Sequence, residues 1–227
     1  MNSLPKIVHP KFNAVVPSTN KRIEYRPFTG SEQKALLVAK ESDDTRDAIR
    51  AMADVVTACS GVKRGEMTPH DMQVLFLMIR AKSVGSVSKV RIADDSGVLR
   101  DAEVDIEKMT IREPSPKPSG LVDVGNGITV KLRQPTVEDV LLVGADDEWG
   151  VLAACVDSVT VGDDVHTRSD FTHEEMKEWV TGLPMSALRE VRDFLESRPV
   201  ASVTAKYKDD SGIEYSRTLE GISNFFA

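Results

Sequence analysis

The sequence predicts an α+β fold made of two similar lobes. The order strand, helix, helix, helix, hairpin can be traced twice along the chain. Three short signatures recur in the same order: Arg26-x-x-Thr29 and Arg133-x-x-Thr136, then Cys59 and Cys155, then the tetrapeptide DDSG at 94–97 and 209–212. Between the two runs lies "REPSPKPSGLVDVGNG", from Arg112 to Gly127, with prolines at 114, 116 and 118. That composition favours extended chain. An internal duplication accounts for the repeated order. The expected divisions are an extended arm at 1–16, a first lobe at 17–112, a linker at 113–127 and a second lobe at 128–227.

Each element has a local reason. Pro5, Pro10 and Pro17 keep residues 1–16 out of a helix. Ile23 and Tyr25, with Phe28 beyond them, alternate with charged residues as in a half-buried strand, and Pro27 ends it. Thr29-x-x-Glu32 has capping-box spacing and opens a first helix whose apolar face is Leu36, Leu37 and Ala39. A second helix runs from Asp44 to Cys59, with Ile49, Met52, Ala53, Val56 and Cys59 on one face, and Gly61 stops it. Thr68 caps a third, with Pro69 in its first turn. Leu75, Phe76, Met78 and Ile79 make that helix apolar enough to be central. Two alternating runs around Asp94-Asp95-Ser96-Gly97 read as a hairpin.

The second run follows the same plan. Ile128, Val130 and Leu132 make a strand, and Thr136-x-x-Asp139 starts a helix carrying Leu141, Leu142 and Val143. The helix around Cys155 stands where that of Cys59 stood. A longer loop leads to a short helix opened by Phe171-Thr172-His173-Glu174-Glu175, then to a helix through Met185, Leu188, Val191 and Leu195. The closing hairpin turns at Asp209-Asp210-Ser211-Gly212.

Charge and composition exclude some functions. A net charge of -7 gives no field that attracts nucleic acid, and the basic pairs Lys21-Arg22 and Lys63-Arg64 stand alone. No apolar run reaches the ~20 residues of a membrane helix. The opening "MNSLPKIVHP" has no hydrophobic signal core, so the expected site of folding is the cytoplasm. Cys59 and Cys155 sit in apolar contexts and are expected as buried small hydrophobes, not as a redox pair or metal ligands.

No P-loop, GxSxG or HExxH occurs; "HEEMKEW" has Lys177 where a zinc site needs its second histidine. His9, His70, His166 and His173 are expected at the surface, without ligand partners. The aspartate pairs at 94–95 and 209–210 lack the further oxygen ligands of a calcium loop, so turn chemistry explains them. The expectation is a protein with no catalytic residues, cofactor or metal. Apolar residues with no clear place in the fold are candidate partner contacts: Leu4, Ile7, Val8 and Phe12 in the arm, and Phe225 and Phe226 in "ISNFFA".

Three stretches carry a resemblance: residues 4–42, "LPKIVHPKFNAVVPSTNKRIEYRPFTGSEQKALLVAKES"; residues 75–86, "LFLMIRAKSVGS"; and residues 212–226, "GIEYSRTLEGISNFF". Together they resemble the baseplate hub and hub-assembly proteins of T4-like contractile-tailed bacteriophages. The resemblance implies a non-enzymatic part played through protein–protein contacts, as a hub subunit or as an assembly chaperone. The implied partners are baseplate hub or tail proteins, with a homo-oligomer as a further option, and no nucleic acid or membrane. The implied location is the host cytoplasm during assembly, with the virion tail baseplate as the further option if the chain stays in the particle. Arg80 and Lys82, in the RAKSVG segment, then become candidates for meeting acidic groups on a partner, or else ordinary basic residues at a helix C-terminus. Some relatives are expected to carry cysteine pairs as zinc knuckles where DDSG stands here, so a metal-stapled hairpin is not expected. The competing classes are a tail-associated hydrolase and a nucleic-acid binding module.

Overall fold

Hairpins and capped helices alternate along the chain. The computed structural model describes residues 4–5, 7–42, 44–113, 118–144 and 146–220. The fold is α+β, as the sequence predicts. Strand β1 (Phe12–Val15) pairs antiparallel with β2 (Arg22–Tyr25). Asn20 takes the left-handed conformation in the turn between them (φ +55°), which asparagine tolerates. Phe12–Val15 was expected within the extended arm. Ala14 and Val16 are buried instead, so strand pairing here satisfies the backbone and buries apolar surface together.

Helix α1 (Gly30–Lys40) begins where Glu32 accepts hydrogen bonds from the Thr29 backbone N–H (2.6 Å) and hydroxyl (2.9 Å). Its expected apolar face is a correction: no α1 residue is buried, Leu36 is half-covered, and Leu37 and Val38 are 57% and 61% exposed. The helix lies on α2 (Thr45–Ser60), with Leu36 packed on the first core and Ala39 half-covered. Asp44 caps α2 by accepting from the Arg46 N–H (2.8 Å), and Gly61 ends it with φ +77°. Thr68 and Asp71 cap α3 (Pro69–Val84) reciprocally. Helix α3 is buried on two sides, as expected of an apolar helix at the centre. Met72, Leu75 and Ile79 face α2 and the first hairpin, while Val74, Leu77 and Ala81 face Ile106 and Ala201.

Strands β3 (Val87–Ala93) and β4 (Leu99–Asp105) form the expected hairpin, followed by β5 (Thr110–Arg112). The second half opens with β6 (Leu121–Gly125) paired to β7 (Ile128–Leu132). β6 falls inside the expected linker; Val122 is buried, which an unstructured linker would not achieve. Helices α4 (Val137–Val143) and α5 (Glu148–Ala154) follow. The expected loop after Cys155 is a hairpin, β8 (Val156–Val161) and β9 (Asp164–Thr167). It completes the antiparallel sheet β6-β7-β8-β9. Helices α6 (His173–Thr181) and α7 (Met185–Glu196) cover that sheet, with Met176, Val180, Leu188 and Val191 in its core.

The last hairpin, β10 (Val200–Lys208) and β11 (Glu214–Glu220), joins the strands of the first half. The sheet order is β11-β10-β4-β3, with β5 also on β10. The two halves meet again where the Val137 N–H donates to the Met67 carbonyl at 2.9 Å and Val137 enters the first core. This sheet is coiled. A flat sheet of this order holds its edges about 14 Å apart. Yet the Arg217 side chain on edge strand β11 donates to the Ala93 carbonyl at the end of the opposite edge strand, β3. Along its middle Ala205 of β10 pairs with Val104 of β4, and Ala102 of β4 with Tyr207 of β10, so each cross-strand pair sets a small side chain against a large one. Small side chains there let the sheet curl over its own apolar face.

Candidate partner-binding surfaces

The residues expected to meet partners separate into three groups. Leu4, Ile7 and Val8 are 93%, 77% and 87% exposed. Ile7 and Val8 border an open groove of about 800 Å³ whose floor includes Ile23, Tyr25 and Val62.

Phe12, Arg80 and Lys82 form the second group, and the fold brings two of them together. Phe12 packs on Tyr25 with ring centroids 5.7 Å apart, and the Lys82 Nζ lies 5.1 Å from the Phe12 ring centre. Lys82 also donates to Glu107 at 2.5 Å, and Arg80 donates to the Ser88 hydroxyl at 2.7 Å. These two cations therefore tie the end of α3 to the structure after it. The hydrogen bond from Lys82 to Glu107 raises the ammonium pKa and keeps it charged. The third group, Phe225 and Phe226, lies outside the described residues.

Sequence reasoning missed Leu37 and Val38 on α1, and four apolar residues near the two DDSG tips: Val98, Leu99, Ile213 and Tyr215, all exposed. The tips have matching turns. Asp94 accepts from the N–H groups of Ser96 and Val98, and Asp209 from those of Ser211 and Ile213, each at 2.9 Å. Gly97 and Gly212 take φ +79° and +81°. Arg100 fastens one tip to the other, donating to Asp94 at 3.0 Å and to both carboxylate oxygens of Asp210. An alternating pattern places such residues on a strand but does not say that two hairpins meet end to end.

The repeated Arg-x-x-Thr segments also match in geometry. The Arg26 N–H donates to the Cys59 carbonyl at 3.0 Å, and the Arg133 N–H to the Cys155 carbonyl at 2.7 Å. Arg26 clasps Glu32, the capping residue of α1, through two hydrogen bonds of 3.0 and 2.6 Å. Arg133 reaches Asp139, the capping residue of α4, at 2.8 Å, and Arg168 holds its other oxygen at 3.0 Å. The Arg26 hydrogen bonds draw Glu32 down to about 2, against the opposing effect of burial. Burial alone would raise Asp139, but the Thr136 hydrogen bonds and Arg133 outweigh it, so the carboxyl is lowered.

Burial pushes the Cys59 thiol up to about 11 and the Cys155 thiol to about 12, so both are protonated at neutral pH and are poor nucleophiles. Among the described residues, no group of three or more His, Cys, Asp or Glu is placed to hold a metal ion. No described helix is long and apolar enough to cross a membrane. One histidine departs from expectation: His70, in the first turn of α3, is buried, not at the surface. The helix start that carries it is covered by the connection into β10.

The family described as T4 bacteriophage base plate protein matches the chain over residues 9–227. No curated protein and no solved structure matches it.

Proposed function

Because the chain belongs to the T4 bacteriophage base plate protein family, we propose that it works at the central hub of the base plate, as a hub subunit or as a chaperone that assembles the hub. It acts through protein–protein contacts and catalyses no reaction. The observation that carries this reading is the family match, which runs through both halves of the chain. The exposed Leu4, Ile7 and Val8 supply a contact surface, with Phe12 and Lys82 at its root. Its partners are other hub or tail proteins, with a second copy of the chain as a further option. It meets them in the host cytoplasm and, as a hub subunit, is carried into the virion tail; as a chaperone it is released.

The matching Arg-x-x-Thr and DDSG geometries support an origin by internal duplication. The second hairpin then lies in the same sheet as its counterpart, so the two lobes are joined.

The arm gives the direct test. Replacing Leu4, Ile7 and Val8 together by Asp leaves the described core untouched. The variant should melt within about 0.5 kcal/mol of the parent chain and fail to co-purify with hub complexes from infected cells. Undiminished co-purification of the triple variant removes the arm from the contact.

A further inference from the structure

A second recognition site lies away from the arm. A cleft of about 560 Å³ opens between the start of α3, the turn before α4 and the connection from α7 to β10. Its walls include Val140, Val151 and Leu195. Its polar groups are unevenly committed. Gln134 spends its amide N–H on the Phe194 carbonyl at 2.8 Å and keeps an oxygen to accept with. Glu220 at the rim pairs with Arg112 at 3.3 Å. His70 is 8% exposed, and its buried Nε2 has no hydrogen-bond partner among the described residues. The exposed Arg198 side chain makes no hydrogen bond or ion pair among them.

The uncommitted charge of the cleft is thus positive, and it stands beside apolar walls. An unpartnered guanidinium is matched best by a carboxylate, which it can hold through two parallel hydrogen bonds. Apolar walls reward a neighbouring hydrophobic side chain. The cleft opens to solvent, so a chain segment can enter it. We propose that it binds a segment of a partner protein in which Asp or Glu stands next to a large apolar residue, with the carboxylate on Arg198 and the apolar side chain against Val140, Val151 and Leu195. His70 lies in the same wall and reports on occupancy. Burial is the main cause that lowers its pKa; Asp71 opposes and Arg198 adds to the lowering, so the ring is neutral at pH 7. This site rests on the reading that the chain works through protein contacts, but not on the arm or on the hub.

The experiment uses the full chain with ¹³C-labelled histidine, the His70 signal being assigned with H70Q. The probe is the tripeptide acetyl-Leu-Asp-Phe-amide, with acetyl-Leu-Asn-Phe-amide as control. The Asp peptide should shift the His70 ring signal saturably, and the Asn peptide should bind about tenfold more weakly. Arg198→Glu should weaken the Asp peptide by at least about tenfold while leaving the melting temperature unchanged, because Arg198 holds nothing in the described fold. No saturable shift, equal response to the two peptides, or undiminished binding in R198E overturns the proposal. None of these results bears on co-purification with the hub, so the two readings fail separately.

Discussion

Glu32 links one residue to the pH dependence of the whole fold. Its carboxyl is held at about 2, against an ordinary value of 4.5, chiefly by Arg26. A lowered pKa means that the charged form is favoured by folding. The stabilisation is therefore complete above the unfolded value and is lost as pH falls from 4.5 towards 2. Glu32→Gln should cost on the order of 2–3 kcal/mol at pH 7, with the gap to the parent chain closing by about pH 2. Urea titrations at the two pH values check this; a gap that stays constant would mean that packing, not charge, holds the Arg26 clasp. Arg100 makes a second residue-scale case. Its guanidinium is shared by the two tips, through Asp94 and Asp210. Arg100→Met should speed hydrogen exchange at both turns, 94–98 and 209–213. Exchange that changes at one turn alone would contradict the clamp.

At the scale of elements, the turns and caps carry the most local information. Gly97 and Gly212 sit at φ +79° and +81°, where an L side chain costs about 1 kcal/mol. Gly97→Ala and Gly212→Ala should each cost about that much, by thermal melts. These turns were legible because one tetrapeptide fixes them, and most helix starts were legible because Thr29, Asp44, Thr68, Thr136 and Thr172 announce them. Strand β8 was not. A register shift opposite Lys131 and Leu132 turns both Val156 and Val159 inward, and that three-residue spacing does not read as a strand. β6 was hidden by the prolines before it. The exposure of Leu37 and Val38 was hidden for another reason: a helix pattern names an apolar face but not the width of its neighbour. His70 was misplaced likewise, since what covers it arrives more than a hundred residues later in the chain.

At the scale of the molecule, the five-stranded sheet decides how the halves behave. β10 pairs with β4 and β5, and Ala205 and Tyr207 share a core with Ala102 and Val104. Val137 of the second half fills the first core. Neither half can open without exposing apolar surface of the other. Calorimetry of the full chain should therefore give a single transition with equal van't Hoff and calorimetric enthalpies. Two resolved transitions would mean that the lobes fold independently. This joining was beyond the sequence, because alternation marks a strand and not its distant partner.

The proposed role of this chain is at the base plate hub. It is tested most directly by quantitative mass spectrometry across a density gradient of infected-cell lysate, run beside purified phage particles. The chain should sediment with hub-containing complexes, whether or not copies remain in the finished particle. Finding it only at the position of a free protein, apart from every base plate component and absent from particles, would contradict the account.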